Sequence, residues 1–73
     1  MQSNNKIGQG EMETKAISLL ERENMPLSIG FVAFHLHVTW QTARGLLLRM
    51  SLSGQIKALE TSKGYLFMKQ QNN

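Results

Sequence analysis

Residues 39–49, TWQTARGLLLR, concentrate the polar side chains with a definite chemistry: two hydroxyls (Thr39, Thr42), one carboxamide (Gln41) and two guanidinium groups (Arg44, Arg49). A carboxamide can meet an adenine edge with two hydrogen bonds, and a guanidinium can do the same with guanine or hold a phosphate. Threonine hydroxyls and the free amides of a first helical turn suit phosphate. Trp40 stands among them with two open roles, packing against sugar and backbone or lying inward as a hydrophobic cover. Other chemistries find less material. The chain has no cysteine, which removes disulfides, thiolate nucleophiles and the usual structural zinc sites. His35 and His37 lie two apart, so on a helix they diverge by about 200° and cannot share a metal. The five carboxylates (Glu11, Glu13, Glu21, Glu23, Glu60) form no paired-acid pattern, and neither a Ser/His/Asp arrangement nor a glycine-rich phosphate loop occurs. The expectation is a protein that is not an enzyme, with no metal and no cofactor.

Two helices must position these groups. Ser28 can accept a hydrogen bond from an amide two or three residues on, which opens a first helix through about His37. In that helix Ile29, Val32, Ala33 and Leu36 recur at three- and four-residue intervals and make one buried stripe. Val38 and Thr39 are β-branched and stiff, and Thr39 is a second N-cap, so the chain turns and restarts at Trp40. The next helix, 40–53, places Ala43, Leu46, Leu47 and Met50 on one side, and Gly54 follows as a stop. Small Ala33 lets the two backbones approach closely, and Val38 plugs the corner. The opposite face of the 40–53 helix carries Gln41, Arg44, Gly45, Leu48, Arg49 and Leu52.

Ahead of this pair, 11–24 has the composition of a helix, with Met12, Ala16, Leu19 and Leu20 as its stripe and Ile17 on the flank. Its acids suit the first turn, and Glu11 and Lys15 are spaced to pair. Pro26 ends it, because the residue before proline is pushed out of the helical region. After Gly54 the pattern becomes extended. Residues 55–59 and 65–68 read as a hairpin with a five-residue loop, 60–64, and Lys63 at its tip. Residues 1–10 are expected to be a disordered arm and 69–73 a flexible tail, leaving one domain over 11–68.

The small and apolar positions Val32, Ala33, Leu36, Val38, Thr39, Ala43, Leu47, Met50, Gly54 and Ile56 resemble the pattern of the winged-helix superfamily. The resemblance covers 11–68. It implies an α+β fold, mainly α: a three-helix winged helix-turn-helix with a short C-terminal β-hairpin as the wing. It also implies a short strand near Leu27, a recognition helix at 40–53 that enters the major groove leading end first, and a wing at 55–68 that lies on the backbone. The DNA-binding residues expected on this basis are Thr39, Trp40, Gln41, Thr42, Arg44, Arg49 and Lys63.

The charge distribution agrees. The formal net charge is +3 over 73 residues. Residues 1–25 hold three basic and four acidic side chains, whereas 26–73 hold five basic ones against Glu60 alone. A phosphate-facing surface would look like this, and so would a solvated face with few acids. The acidic outer face of the 11–24 helix should point away from any nucleic acid. No apolar run approaches the roughly 20 residues of a membrane span, and the N-terminus is polar. A cytoplasmic protein without membrane contact is expected, and no small-molecule effector pocket is evident in the sequence.

Four apolar residues exceed what the stripes require: Phe31, Phe34, Leu48 and Leu52. Either a small core absorbs them, with Leu52 tucked under the hairpin, or they form an apolar patch that marks an interface, in the first instance a homodimer. Gly45 is a further oddity, since a mid-helix glycine costs about 1 kcal/mol relative to alanine. Close approach to a DNA backbone or a second chain would explain it, and so would drift. Three functions follow in order: sequence-specific binding of double-stranded DNA as a transcriptional regulator; protein docking through Trp40, Leu48, Leu52 and the phenylalanines; and single-stranded nucleic-acid binding with Trp40 and Tyr65 as stacking platforms.

Overall fold

The computed structural model describes residues 9–70. Three helices and a three-stranded antiparallel sheet follow in the order α1 (Gln9–Glu23), β1 (Leu27–Ser28), α2 (Ile29–Leu36), α3 (Trp40–Leu52), β2 (Ile56–Thr61) and β3 (Gly64–Lys69). The α+β class and the three helices are as the sequence predicts. The expected arm falls mostly at 1–8, outside the described residues, but Gln9 and Gly10 belong to α1, which starts two residues earlier than Glu11. Thr14 Oγ1 donates to the Gly10 carbonyl at 2.9 Å within that first turn. Glu11 and Lys15 pair at 3.9 Å as their spacing predicts, on an exposed surface where such a pair contributes little.

Each helix end has a local cause. Ser28 Oγ accepts from the Phe31 amide at 3.1 Å and Thr39 Oγ1 accepts from the Thr42 amide at 3.1 Å, so both expected N-caps are in place. Thr39 Oγ1 also donates to Thr42 Oγ1 at 3.0 Å. The C-terminal ends of α2 and α3 share one device. In α2 the Val38 amide donates to the Ala33 carbonyl at 3.1 Å and the His37 amide to that of Phe34 at 3.3 Å. In α3 the Gln55 amide reaches the Met50 carbonyl at 2.9 Å and the Gly54 amide that of Ser51 at 3.2 Å. Both are the paired bonds of a Schellman motif, which places the residue after the helix in the left-handed region. Gly54 takes that conformation without cost at φ 86°, whereas His37 takes it at φ 60° with a β-carbon in the way.

The core is a single cluster to which every element contributes. Ala16, Leu19 and Leu20 come from α1, Ile29, Val32 and Ala33 from α2, and Ala43, Leu46, Leu47 and Met50 from α3. Leu27, Ile56 and Phe67 close it from the sheet. Burial of a side chain of this kind contributes about 1.5–3 kcal/mol, and among the described residues no polar or charged one is buried against it. The sheet runs β1-β3-β2, with Leu27 opposite Phe67 and Ser28 opposite Leu66, so the two-residue β1 ties the entry of α2 to the hairpin. That short strand is the one the resemblance implies at Leu27.

The hairpin departs from expectation. Thr61 pairs with Gly64, so the connection is the two residues Ser62 and Lys63 and not a five-residue loop. Glu60 and Thr61 are polar because β2 is an edge strand with little to bury at that end, and a polar edge is a normal defence against further pairing. Thr61 Oγ1 accepts from the Lys63 amide at 3.2 Å and donates to the Gly64 carbonyl at 2.6 Å, closing the turn, and Gly64 supplies φ 123°. Lys69, expected in the tail, pairs with Ile56, and Gln70 Nε2 donates to the Gly54 carbonyl at 3.2 Å. Residues 71–73 lie outside the described range.

Candidate functional site

The three-residue connection 37–39 turns the chain so that α3 buries only Ala43, Leu46, Leu47 and Met50. Thr39, Trp40, Gln41, Thr42, Arg44 and Arg49 are all exposed, and they sit on the outward arc of one helix. Trp40 is 52% accessible, which decides between its two readings in favour of a surface position. Residues 24–59 contain no acidic side chain, so the cations and amides of α2, α3 and most of β2 stand in a span without acids. The leading end of α3 carries no acid to compensate its free amides, and Thr39 caps only one of them. This is a surface suited to anions with flat hydrogen-bonding edges. Lys63 is exposed in the β2–β3 turn, on a separate element.

The four surplus apolar residues divide. Phe31 and Leu48 are half-buried and pack against the core, which takes up part of each side chain. Phe31 also stacks on His35, with ring centroids 4.2 Å apart. Phe34 and Leu52 stay out, at 76% and 87% accessible. Leu52 is therefore not tucked under the hairpin: it occupies the last turn of α3, on the side turned away from Leu46 and Met50. Gly45 is half-buried, and a β-carbon there would meet only the far end of the Arg49 side chain at 3.4 Å, an ordinary contact. Nothing within the chain requires glycine at that position.

A concavity elsewhere on the surface was not expected from the sequence. A cavity of about 350 Å³ opens between α1 and the end of α2, lined by Thr14, Lys15, Ser18, Leu19, Arg22, His35 and Leu36. The outer face of α1 is thus not uniformly acidic. Lys15, Ser18 and Arg22 align at three- and four-residue spacing, a stripe that a helical reading of 11–24 could have found. Its closure by His35 and Leu36 depends on how α2 packs, which spacing along the chain does not reveal. His35 Nδ1 donates to the Phe31 carbonyl at 3.1 Å, and its ring meets Phe34 edge-on at 5.4 Å.

Among the described residues, no group of three His, Asp or Glu side chains could hold a metal ion, and no helix is long and apolar enough to cross a membrane. Comparison of the chain with protein-family models, with curated proteins and with solved structures finds no match in any of the three, so the site rests on its own geometry.

Proposed function

We propose that this protein is a minimal winged-helix, sequence-specific binder of double-stranded DNA and a cytoplasmic transcriptional regulator, without catalysis. In this reading α3 enters the major groove and the β2–β3 hairpin lies along the backbone with Lys63 near phosphate. The observation that carries it is the outward arc of α3. Gln41, Arg44 and Arg49 are presented together at the surface, Thr39 and Thr42 stand at the leading end, and the surrounding span has no acid. Gln41 would read adenine and Arg44 guanine, with the remaining groups on phosphate. Two copies would match half-sites one helical turn apart, roughly 34–36 Å.

One observation favours a different use of the same surface. Leu52 and Trp40 stand exposed at opposite ends of α3, and Phe34 does so on α2, which fits a module that docks a protein partner or a second copy. The experiment that separates the two is a titration of labelled random duplex DNA at two salt concentrations, with mass followed by light scattering in the same samples. The DNA reading expects affinity that falls with salt as phosphate contacts release counterions, by a shallow slope because the contacts are few. Absence of binding at low salt, together with a mass of two or more chains, would select docking.

A further inference from the structure

We infer that the groove between α1 and α2 is a binding site for a small organic acid. Its anionic head lies over Ser18 between Arg22 and Lys15, and its apolar body rests on Leu19 and Leu36. The space, about 350 Å³, lies at the lower end of the range for small-molecule sites, so the ligand is small. Four of the chain's five acids are in α1, yet none of them lines this cavity, whereas both of that helix's described cations do. The groove is therefore a basic strip cut into an acidic helix, with an apolar floor.

Both cations reach the groove from the same face of α1. Ser18 is one turn from Lys15 and one turn from Arg22; the N-terminal lean of helical side chains favours Arg22 reaching back toward Ser18, whereas Lys15 leans toward Glu11 and has to swing the other way to meet the same head group. Both cations are held weakly at present. Arg22 Nε is 3.7 Å from Glu23 and Lys15 Nζ is 3.9 Å from Glu11, with both cationic side chains more than half exposed. Pairs of this kind contribute little and yield readily to a better anion. The opposite wall is fixed. The His35 ring is held by its bond to the Phe31 carbonyl and by its stack on Phe31, so its position does not have to be ordered when a ligand enters. Nothing in this inference depends on DNA binding.

The test is a heteronuclear NMR titration of the full chain with benzoate, with benzamide as its neutral counterpart, and with inorganic phosphate as an anion lacking an apolar body. The expected result is saturable shifts of the Ser18, Leu19, His35 and Leu36 amides with benzoate, and binding weaker by about tenfold or more for each control. A K15Q/R22Q variant should lose a similar factor. S18F, which fills the groove from an exposed position, should abolish the shifts while leaving the rest of the spectrum in place. Equal binding of benzamide, equal binding in either variant, or no saturable shift at these amides would overturn the inference.

Discussion

The helices α1 and α3 are built alike on the inside and differently on the outside. Each packs a stripe of small and branched residues into the same core: Ala16, Leu19 and Leu20 in one, Ala43, Leu46, Leu47 and Met50 in the other. Outward, α1 mixes four glutamates with Lys15 and Arg22, so both of its cations have an acid within reach on the same helix. The outward arc of α3 has arginines, an amide and hydroxyls, with no acid and an open leucine at the end. Burial dictates the inner faces, so they converge. The outer faces are free of that constraint, and their divergence is where a difference in use shows.

The inner half of the comparison is broken most severely at Phe67, which is fully buried and sits opposite both Leu27 and Ala58. Phe67→Ala should cost about 3–5 kcal/mol in denaturant unfolding, a large share of the stability of a domain this small. The outer half is tested by truncating one cation on each helix. Arg44→Ala should weaken duplex DNA binding by about 1–3 kcal/mol, whereas Lys15→Ala should leave it unchanged in the same fluorescence titration. Equal losses would mean that net charge, and not the face of α3, governs binding.

Smaller changes probe how α3 is held and how closely it is approached. Thr39→Ala removes the cap on the Thr42 amide and should cost about 1 kcal/mol in thermal unfolding. Gly45→Ala should stabilise the free protein by about 0.5–1 kcal/mol, because helix propensity improves and only the tip of Arg49 is met. If α3 lies against a DNA backbone at this point, the same variant binds duplex more weakly despite being more stable. Unchanged binding would assign Gly45 no role in the complex.

Much of this architecture was legible in the sequence, for reasons that are local. The caps Ser28 and Thr39, the stop at Gly54 and the stripes of all three helices depend on neighbours three or four residues away, and they stand where spacing places them, except that Met12 and Leu36 are only partly buried at the edge of the core. The hairpin turn was not legible. Ser62-Lys63 is not one of the glycine-containing dipeptides that mark a two-residue hairpin, and the polar Glu60 and Thr61 read as loop although they continue an edge strand. The left-handed His37 was missed as well, because nothing in the side chain announces the Schellman bonds that require it. At the candidate site, the exposed polar residues of α3 followed from its period. The division of Phe31 and Leu48 from Phe34 and Leu52, and the groove that His35 and Leu36 close over α1, depend on how helices pack across the core.

The central claim is that the outward arc of α3, and not that of α1, is the working surface toward DNA. The most direct measurement is an amide-shift map of the protein titrated with a DNA duplex at low salt. The account predicts that the largest shifts fall on Thr39, Gln41, Thr42, Arg44 and Arg49, with a smaller set at Lys63 and little change along the exposed side of α1. Shifts concentrated on Lys15, Ser18 and Arg22, with α3 silent, would contradict it.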